Sequence, residues 1–175
     1  RGGAQVKMST RKATYETLDD LMEEVGEDVT RFFFLMRSPN THLEFDLDLA
    51  KEAREKNPVF YLQYAHARIC SIIRKAQDVG FDFIEDADLA LLTHEAESAL
   101  IKELLTFPKM VERTALSKEP HRLINYLNSV ATHFTKFYDA CRIVGEEAAL
   151  ASARMKLADA TRIVLRNGLT ILGIS

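Results

Sequence analysis

The sequence has little cysteine and no long hydrophobic run. Cys70 and Cys141 occur singly, without the paired spacing of a metal cluster, which is typical of a reducing compartment. No apolar stretch approaches the roughly 20 residues needed to span a bilayer. The first residues, Arg-Gly-Gly-Ala, show no signal-peptide pattern. These absences exclude an integral membrane protein and predict a cytoplasmic one.

Motifs of a self-sufficient active site are also missing. The sequence contains no GxxxxGK[ST], GxGxxG or GxSxG pattern. The five histidines are scattered without an i,i+4 pair, so no metal site is predicted. Asp46 and Asp48 lack the glycine and remaining ligands of a calcium loop, and we interpret them as charges at a helix start.

Length and composition fit an ordinary folded protein. The chain has 175 residues, of which 47% are hydrophobic and 28% charged, enough for a core without disulfides. It begins at Arg1 and ends at Ser175, and neither end resembles a natural boundary. We therefore expect a piece of a longer protein.

Charge is distributed unevenly around a net value of −3. Residues 82–103 carry seven acids against Lys102 alone, and the favoured interpretation is a solvated surface. Residues 57–77 carry only basic charges, and a second basic group lies within 154–166. Such groups fit either a phosphate-binding face or an ordinary surface, and charge alone does not decide between them.

Hydrophobic periodicity predicts an all-α protein, in which short helices precede a bundle of long antiparallel helices. One short strand is predicted at 14–16. Residues 32–36 form an apolar block that we expect to be buried on several sides. The predicted helices are 18–25, 28–37, 58–79, 94–105, 109–117, one from about 119 to 141, and one from about 146 to 168.

Several segments, taken in order, resemble a known family. Lys7-Met8-Ser9-Thr10-Arg11-Lys12 resembles the KMSKS loop of class I aminoacyl-tRNA synthetases. The segments 31–38 (RFFFLMRS), 42–50 (HLEFDLDLA) and 57–68 (NPVFYLQYAHAR) resemble the stretch that follows this loop in bacterial-type arginyl-tRNA synthetases. The sequence is therefore identified as a member of that family, resembling its C-terminal portion.

The resemblance implies an enzyme that joins arginine to its tRNA through an arginyl-adenylate. The full-length enzyme would use ATP, with Mg2+, and act as a monomer. This chain lacks the Rossmann core and HIGH signature, so we expect it to be inactive alone and to bind no cofactor. The implied division is 1–16 for the signature loop, 17–57 for a helical stem-contact region and 58–175 for the DALR anticodon-binding bundle. Residues 159–162 resemble the name-giving motif, with Thr161 replacing leucine.

The resemblance assigns catalytic roles to Lys7, Ser9, Arg11 and Lys12. Negative charge develops on the departing pyrophosphate when the adenylate forms, and mobile cations placed there stabilise the transition state. Thr10 and Arg11 stand where KMSKS has its second lysine. Which of the three cations meets the pyrophosphate stays open.

Two faces are candidates for binding tRNA. Tyr64, Arg68 and Lys75 share one side of the helix after Pro58, where an exposed tyrosine could stack on an unpaired base. The alternative is that Tyr64 is a core residue. On the helix that ends near 141, Tyr138 and Arg142 are expected to form an i,i+4 aromatic–cation pair. On the last helix, Arg162 and Arg166 are candidates that share a side with Arg154. These fit RNA contacts and intramolecular pairs equally well.

Other functions remain compatible with the sequence. A stand-alone helical tRNA-binding module, or the corresponding part of a related enzyme such as the cysteinyl synthetase, would share much of this pattern. An interaction bundle indifferent to RNA would lack salt-dependent affinity for tRNA.

Overall fold

A computed structural model describes Ala4 and residues 17–52, 56–78, 80–81 and 86–175. The predicted signature loop and the strand at 14–16 lie outside the described residues. Within those ranges the chain forms α-helices and one 3-10 helix, Leu89–Leu91, without any strand, which confirms the predicted all-α bundle. The α-helices are α1 Leu18–Val25, α2 Glu27–Leu35, α3 Leu47–Lys51, α4 Pro58–Asp78, α5 Glu95–Leu105, α6 Phe107–Ser117, α7 His121–Ala140 and α8 Ala148–Ile171.

Local hydrogen bonds set the bounds of the first helix as the sequence predicts. The Thr17 side chain accepts from the amide of Asp20, and the Asp20 carboxylate accepts from the amide of Thr17, which forms a capping box. Gly26, at φ 88°, ends α1 and starts α2. The helix α2 stops at Leu35, two residues before the predicted end, and the Met36 amide still donates to the Phe32 carbonyl.

The apolar block in α2 is only partly buried. Phe32 and Phe33 are buried, whereas Phe34 is 48% exposed and its ring lies 6.0 Å from that of Phe45. The expectation of burial on several sides is therefore wrong for Phe34. Consecutive helical residues point about 100° apart, and the core covers only the side of α2 that carries the first two rings.

Asn57 fixes the start of the long helix α4. Its side chain is fully buried, accepts from the amide of Val59 at 3.1 Å and donates to the Ala50 carbonyl at 3.0 Å. Gly80, at φ 73°, follows the helix as predicted. The predicted hydrophobic stripe of α4 is confirmed, because all its members are buried: Leu62, Ala65, Ile69, Ile72 and Ala76.

The helices α5 to α7 complete the bundle. Helix α6 begins at Phe107, two residues earlier than predicted, because Pro108 is tolerated in a first turn that needs no amide partner. The helix α7 carries the predicted stripe, and each of its members is buried: Leu123, Leu127, Val130, Phe134, Phe137 and Cys141.

The face of α8 predicted to be buried is only partly so: of Leu150, Ala153, Leu157, Ala160, Val164 and Gly168, only Ala153, Leu157 and Gly168 are buried. Ala160 is exposed and Val164 only half-buried, whereas Ala158, Thr161 and Leu165 are buried. Helix α8 packs against α4, α5 and α7, so its buried surface is broad. Thr161 is satisfied there because its hydroxyl donates to the Leu157 carbonyl. The alanines on several sides of this helix gave no clear polarity difference to predict from.

The residues after α8 pack back onto α2 and α4. Leu172 and Ile174 are buried, the Gln63 side chain donates to the Ser175 carbonyl, and the Ser175 amide donates to Asp28 at 3.1 Å. The end of the chain therefore shares one core with α2 and α4. Of the helices in the described ranges, none is long and apolar enough to cross a bilayer.

Candidate nucleic-acid interface

The predicted face of α4 lies at the surface and carries an aromatic–cation pair. Tyr64 is 50% exposed, which excludes the core alternative, and Lys75 is exposed. The Arg68 guanidinium lies 4.6 Å from the centre of the Tyr138 ring on α7, a cation–π distance. The structure therefore brings together Arg68 and Tyr138, which the sequence separates by 70 positions. We call Tyr64, Arg68 and Tyr138 the aromatic face.

The core holds the Tyr138 ring in place. The ring stacks on Phe134, with centres 6.0 Å apart and planes inclined by 25°, and Phe134 is almost fully buried. Nearby, the hydroxyl groups of Tyr61 and Thr132 join α4 to α7 at 3.5 Å. The half-exposed Tyr138 ring is therefore oriented before any ligand arrives.

Arg142 does not follow Tyr138 along the helix, as the i,i+4 prediction assumed. Helix α7 ends at Ala140, and Cys141 is extended at φ −121° and ψ 108°. The exposed Arg142 belongs to the turn between α7 and α8, where its Nε donates to the Val144 carbonyl at 3.0 Å. The predicted helical pairing with Tyr138 is therefore wrong, although Arg142 remains a surface cation.

Arg162 and Arg166 lie along the boundary between α8 and α4. Burial lowers the pKa of His66 on α4, and the positive charges of Arg162 and Arg166 lower it further. Arg162 is also bound to Asp159, with Nε at 2.7 Å from the carboxylate, whereas Arg166 is exposed. Helical spacing places His66 on the opposite side of α4 from Arg68. The predicted RNA-binding residues thus flank α4 on both sides.

Arg154 forms an intramolecular ion pair, which is one of the two alternatives that the sequence left open for it. Its Nε lies 2.6 Å from the carboxylate of Glu97, whose side chain is only 1% exposed. Burial acts to lower the pKa of Arg154, but the hydrogen bond and charge of Glu97 outweigh it and raise the pKa. Glu97 itself belongs to the acidic stretch interpreted as solvated, and that interpretation is wrong at this position.

The remaining predicted groups lie outside the aromatic face. Lys7, Ser9, Arg11 and Lys12 lie outside the described residues, so the catalytic prediction is not tested. Among the residues that the structure does describe, no three His, Cys, Asp or Glu side chains are grouped to hold a metal. Burial, followed by the nearby charge of Glu97, raises the pKa of the Cys141 thiol, which keeps it protonated.

Comparison with solved structures defines the class of protein. A Campylobacter jejuni protein provisionally described as an arginyl-tRNA synthetase superposes with a TM-score of 0.82 and 28% identity, over 97% of this chain and 36% of its own. The Thermus thermophilus arginyl-tRNA synthetase gives a TM-score of 0.74 and 26% identity, over 94% of this chain and 28% of its own. The fold is thus one found within arginyl-tRNA synthetases.

The family follows from the sequence comparisons. The model of the DALR anticodon binding domain matches residues 62–175, and the chain belongs to this family. Over its whole length the chain is 69% identical to an arginine–tRNA ligase of Salinibacter ruber. It is 51% identical to that of Carboxydothermus hydrogenoformans. The chain spans 31% and 32% of the length of these two relatives. The resemblance to arginyl-tRNA synthetases is confirmed.

Proposed function

We propose that this chain is the tRNA-binding, C-terminal part of an arginine–tRNA ligase. The observation that carries the proposal is 69% identity over the entire chain to a protein of that name. The complete enzyme would form arginyl-adenylate from arginine and ATP, with Mg2+, and transfer arginine to its tRNA in the cytoplasm as a monomer. Residues 1–16 would supply the signature loop, 17–57 would contact the tRNA stem and 58–175 would bind the anticodon region.

The aromatic face supports binding of an unpaired base. A base in a single-stranded loop can stack on a tyrosine ring while an arginine contacts its phosphate or edge. Tyr64 offers an exposed ring, and Arg68 is held by Tyr138 within reach of the same surface. Because the cation–π contact and the packing on Phe134 already restrict these side chains, ordering them costs little on binding.

The surrounding cations suit the phosphates on either side of that base. Lys75 continues the aromatic face along α4, and Arg142 extends from the turn beyond Tyr138. Arg162 and Arg166 lie on the other side of α4. Contacts of this kind carry little sequence information, but they make affinity fall with salt concentration.

The signature loop supplies the proposed chemistry in the complete enzyme. The cations Lys7, Arg11 and Lys12 would stabilise the charge that develops on pyrophosphate, and Ser9 would contribute a hydrogen bond. No other group of the described chain is proposed to touch ATP. The chain alone is expected to show no arginine-dependent exchange between ATP and pyrophosphate. Arginine-dependent ATP–pyrophosphate exchange by residues 1–175 would contradict the expectation that this chain is inactive alone.

Titration of the chain with an arginine tRNA transcript at several salt concentrations tests the proposal. Tyr64→Ala should weaken binding about tenfold or more, because loss of one stacked base costs roughly 1–3 kcal/mol. Leu116→Ala provides the matched control, since it removes a side chain that is 78% exposed on α6. Both variants should keep the helical content of the original chain.

Two results would overturn the proposal. Binding that does not change with salt, or is absent, would favour an interaction bundle indifferent to RNA. Equal affinities for Tyr64→Ala and Leu116→Ala would remove the aromatic face from the tRNA interface. A transcript for cysteine, offered in parallel, should bind more weakly than the arginine transcript.

A further inference from the structure

A buried ion pair fastens the turn between α7 and α8 from the inside. Glu97, in the first turn of α5, accepts from Arg154 Nε at 2.6 Å and from the His94 amide at 2.8 Å. Arg154 also donates through Nη1 to the carbonyl of Arg142 at 2.7 Å and to the carboxylate of Glu146 at 3.1 Å. One guanidinium therefore joins α5 to residues near both ends of the turn 141–147.

The stability of the bundle does not by itself account for this pair. Removing a carboxylate and a guanidinium from water costs several kcal/mol per ion, and apolar residues of similar size often stabilise a core equally well. The distinctive feature of Arg154 is its planar fork, which reaches Glu97 and the backbone of Arg142 in two directions at once. A leucine or methionine could fill this space but could not hold that carbonyl.

The outer side of the same turn presents Arg142. Its Nε donates to the Val144 carbonyl, and its guanidinium passes close to Gly145. A Cβ atom on Gly145 would lie 2.9 Å from Arg142 Nη2, and this glycine has φ 86°. The turn thus leaves room for the Arg142 side chain and holds it by its own backbone.

We infer that Glu97 and Arg154 are positioning residues for tRNA recognition, because they fix the turn that presents Arg142 to a phosphate of the RNA. This inference rests on the proposed tRNA-binding function. An arginine held in one place before binding loses less side-chain freedom when it meets its phosphate. Arg154 acts through the backbone of Arg142 and itself stays buried, with a side chain 12% exposed.

Arg154→Lys is the sharpest variant. Lysine retains the charge that compensates Glu97, but a single ammonium group cannot reproduce the fork that also reaches the Arg142 carbonyl. The same substitution at Arg122, which forms an exposed ion pair with Glu119 on the surface of the bundle, is the matched control. Arg142→Ala defines the effect of losing the presented side chain itself.

The measured quantities are the affinity for the arginine tRNA transcript and its dependence on salt. Arg142→Ala should weaken binding about fivefold and reduce the slope of log K against log salt by about one. Arg154→Lys should weaken binding by a similar factor, whereas Arg122→Lys should not. The Arg142→Ala/Arg154→Lys double variant should bind no more weakly than Arg142→Ala, because both changes remove the same contact.

Hydrogen exchange of the amides at 141–147, measured without RNA, provides a second readout. Exchange there should be about tenfold faster in Arg154→Lys than in Arg122→Lys, with the rest of the bundle unchanged. If Arg154→Lys fails to fold, Glu97→Gln/Arg154→Met replaces it, because glutamine can still accept from the His94 amide. For the Glu97→Gln/Arg154→Met variant we again expect weaker tRNA binding and faster hydrogen exchange at 141–147.

Several results would overturn the inference. If the folded Arg154→Lys variant bound tRNA with the affinity of the original chain, the inference would be refuted and the proposed function would stand. The same conclusion would follow if the losses of binding free energy from Arg154→Lys and Arg142→Ala added in full in the double variant. Unchanged hydrogen exchange in the turn would equally refute it. Absence of salt-dependent tRNA binding by the original chain would remove both the proposed function and the inference.

Discussion

Gly168→Ala is expected to strain the crossing of α7 and α8. Gly168 is buried in α8, and a Cβ atom built there would lie 2.8 Å from Leu127 Cδ1 and 3.0 Å from Leu127 Cγ. The Leu127 side chain is itself fully buried in α7, so it has little space to move away. This glycine is therefore needed for the close approach of the two helices rather than for an unusual backbone angle.

The change in unfolding free energy caused by Gly168→Ala is the difference between two opposing contributions. Adding a methyl group to a closely packed core typically costs about 1–3 kcal/mol of unfolding free energy. Replacing glycine by alanine inside a helix stabilises the helix by about 1 kcal/mol. We therefore expect a net loss of about 1 kcal/mol, equivalent to a decrease in melting temperature of roughly 2–4 °C for a protein of this size.

Urea unfolding followed by far-UV circular dichroism measures this loss, since the chain has no tryptophan to report by fluorescence. The control is Asn167→Ala, at the exposed neighbouring position, which should raise stability by a few tenths of a kcal/mol. Leu127→Val, combined with Gly168→Ala, should relieve the overlap. The double variant should therefore be more stable than the sum of the single losses predicts, by about 0.5–2 kcal/mol.

Equal or greater stability of Gly168→Ala would refute this reasoning. It would show that Leu127 finds another rotamer at no cost, so that the glycine does not set the distance between the helices. Strict additivity of the two substitutions would lead to the same conclusion. Such a result would also remove the reason for treating the position of α8, with Arg162 and Arg166, as fixed by the α7 contact.

Two further changes test the buried Asn57 and the half-buried His66. Asn57→Ala removes both the cap of α4 and the hydrogen bond to the Ala50 carbonyl, so it should lower the unfolding free energy by about 1–3 kcal/mol. An unchanged urea midpoint would contradict this expectation. Because the folded pKa of His66 is depressed, the unfolded chain binds more protons below about pH 6.5, and stability should fall as the pH decreases from 7 to 5. His66→Gln should reduce this dependence, and parallel pH profiles for the two proteins would show that His66 does not contribute.

The sequence predicts the helices best where large side chains define a single face. The buried stripe of α4 is anchored by Leu62, Ile69 and Ile72, and that of α7 by leucine, valine and phenylalanine, and both were predicted correctly. The buried face of α8 was predicted correctly only at Ala153, Leu157 and Gly168, because the alanines of this helix occur on several sides. Which alanine becomes buried depends on how α4, α5 and α7 surround the helix, and this arises from tertiary packing alone.

In the candidate site, too, arrangements within one helix could be predicted from the sequence, whereas contacts between helices could not. Tyr64 and Arg68 share a helical side, which spacing reveals, but the contact of Arg68 with Tyr138 joins two helices. Glu97 was interpreted as a solvated charge, and Arg154 as either an RNA contact or an intramolecular pair, because their pairing spans 57 positions and no local pattern indicates it. A glutamate three residues after a possible cap was the one available signal, since Glu97 completes the capping box with His94.

The charge distribution limits how a polyanion can approach this chain. Residues 17–30 contain six acids and no lysine or arginine, so the field around α1 and the start of α2 repels phosphate. Lys75 and Arg166, in contrast, are exposed on the bundle around α4. An RNA that docks its unpaired bases at the aromatic face therefore keeps its backbone away from α1. We expect any contact of the proposed stem region with RNA to use basic side chains away from α1, such as the exposed Arg37 and Lys56.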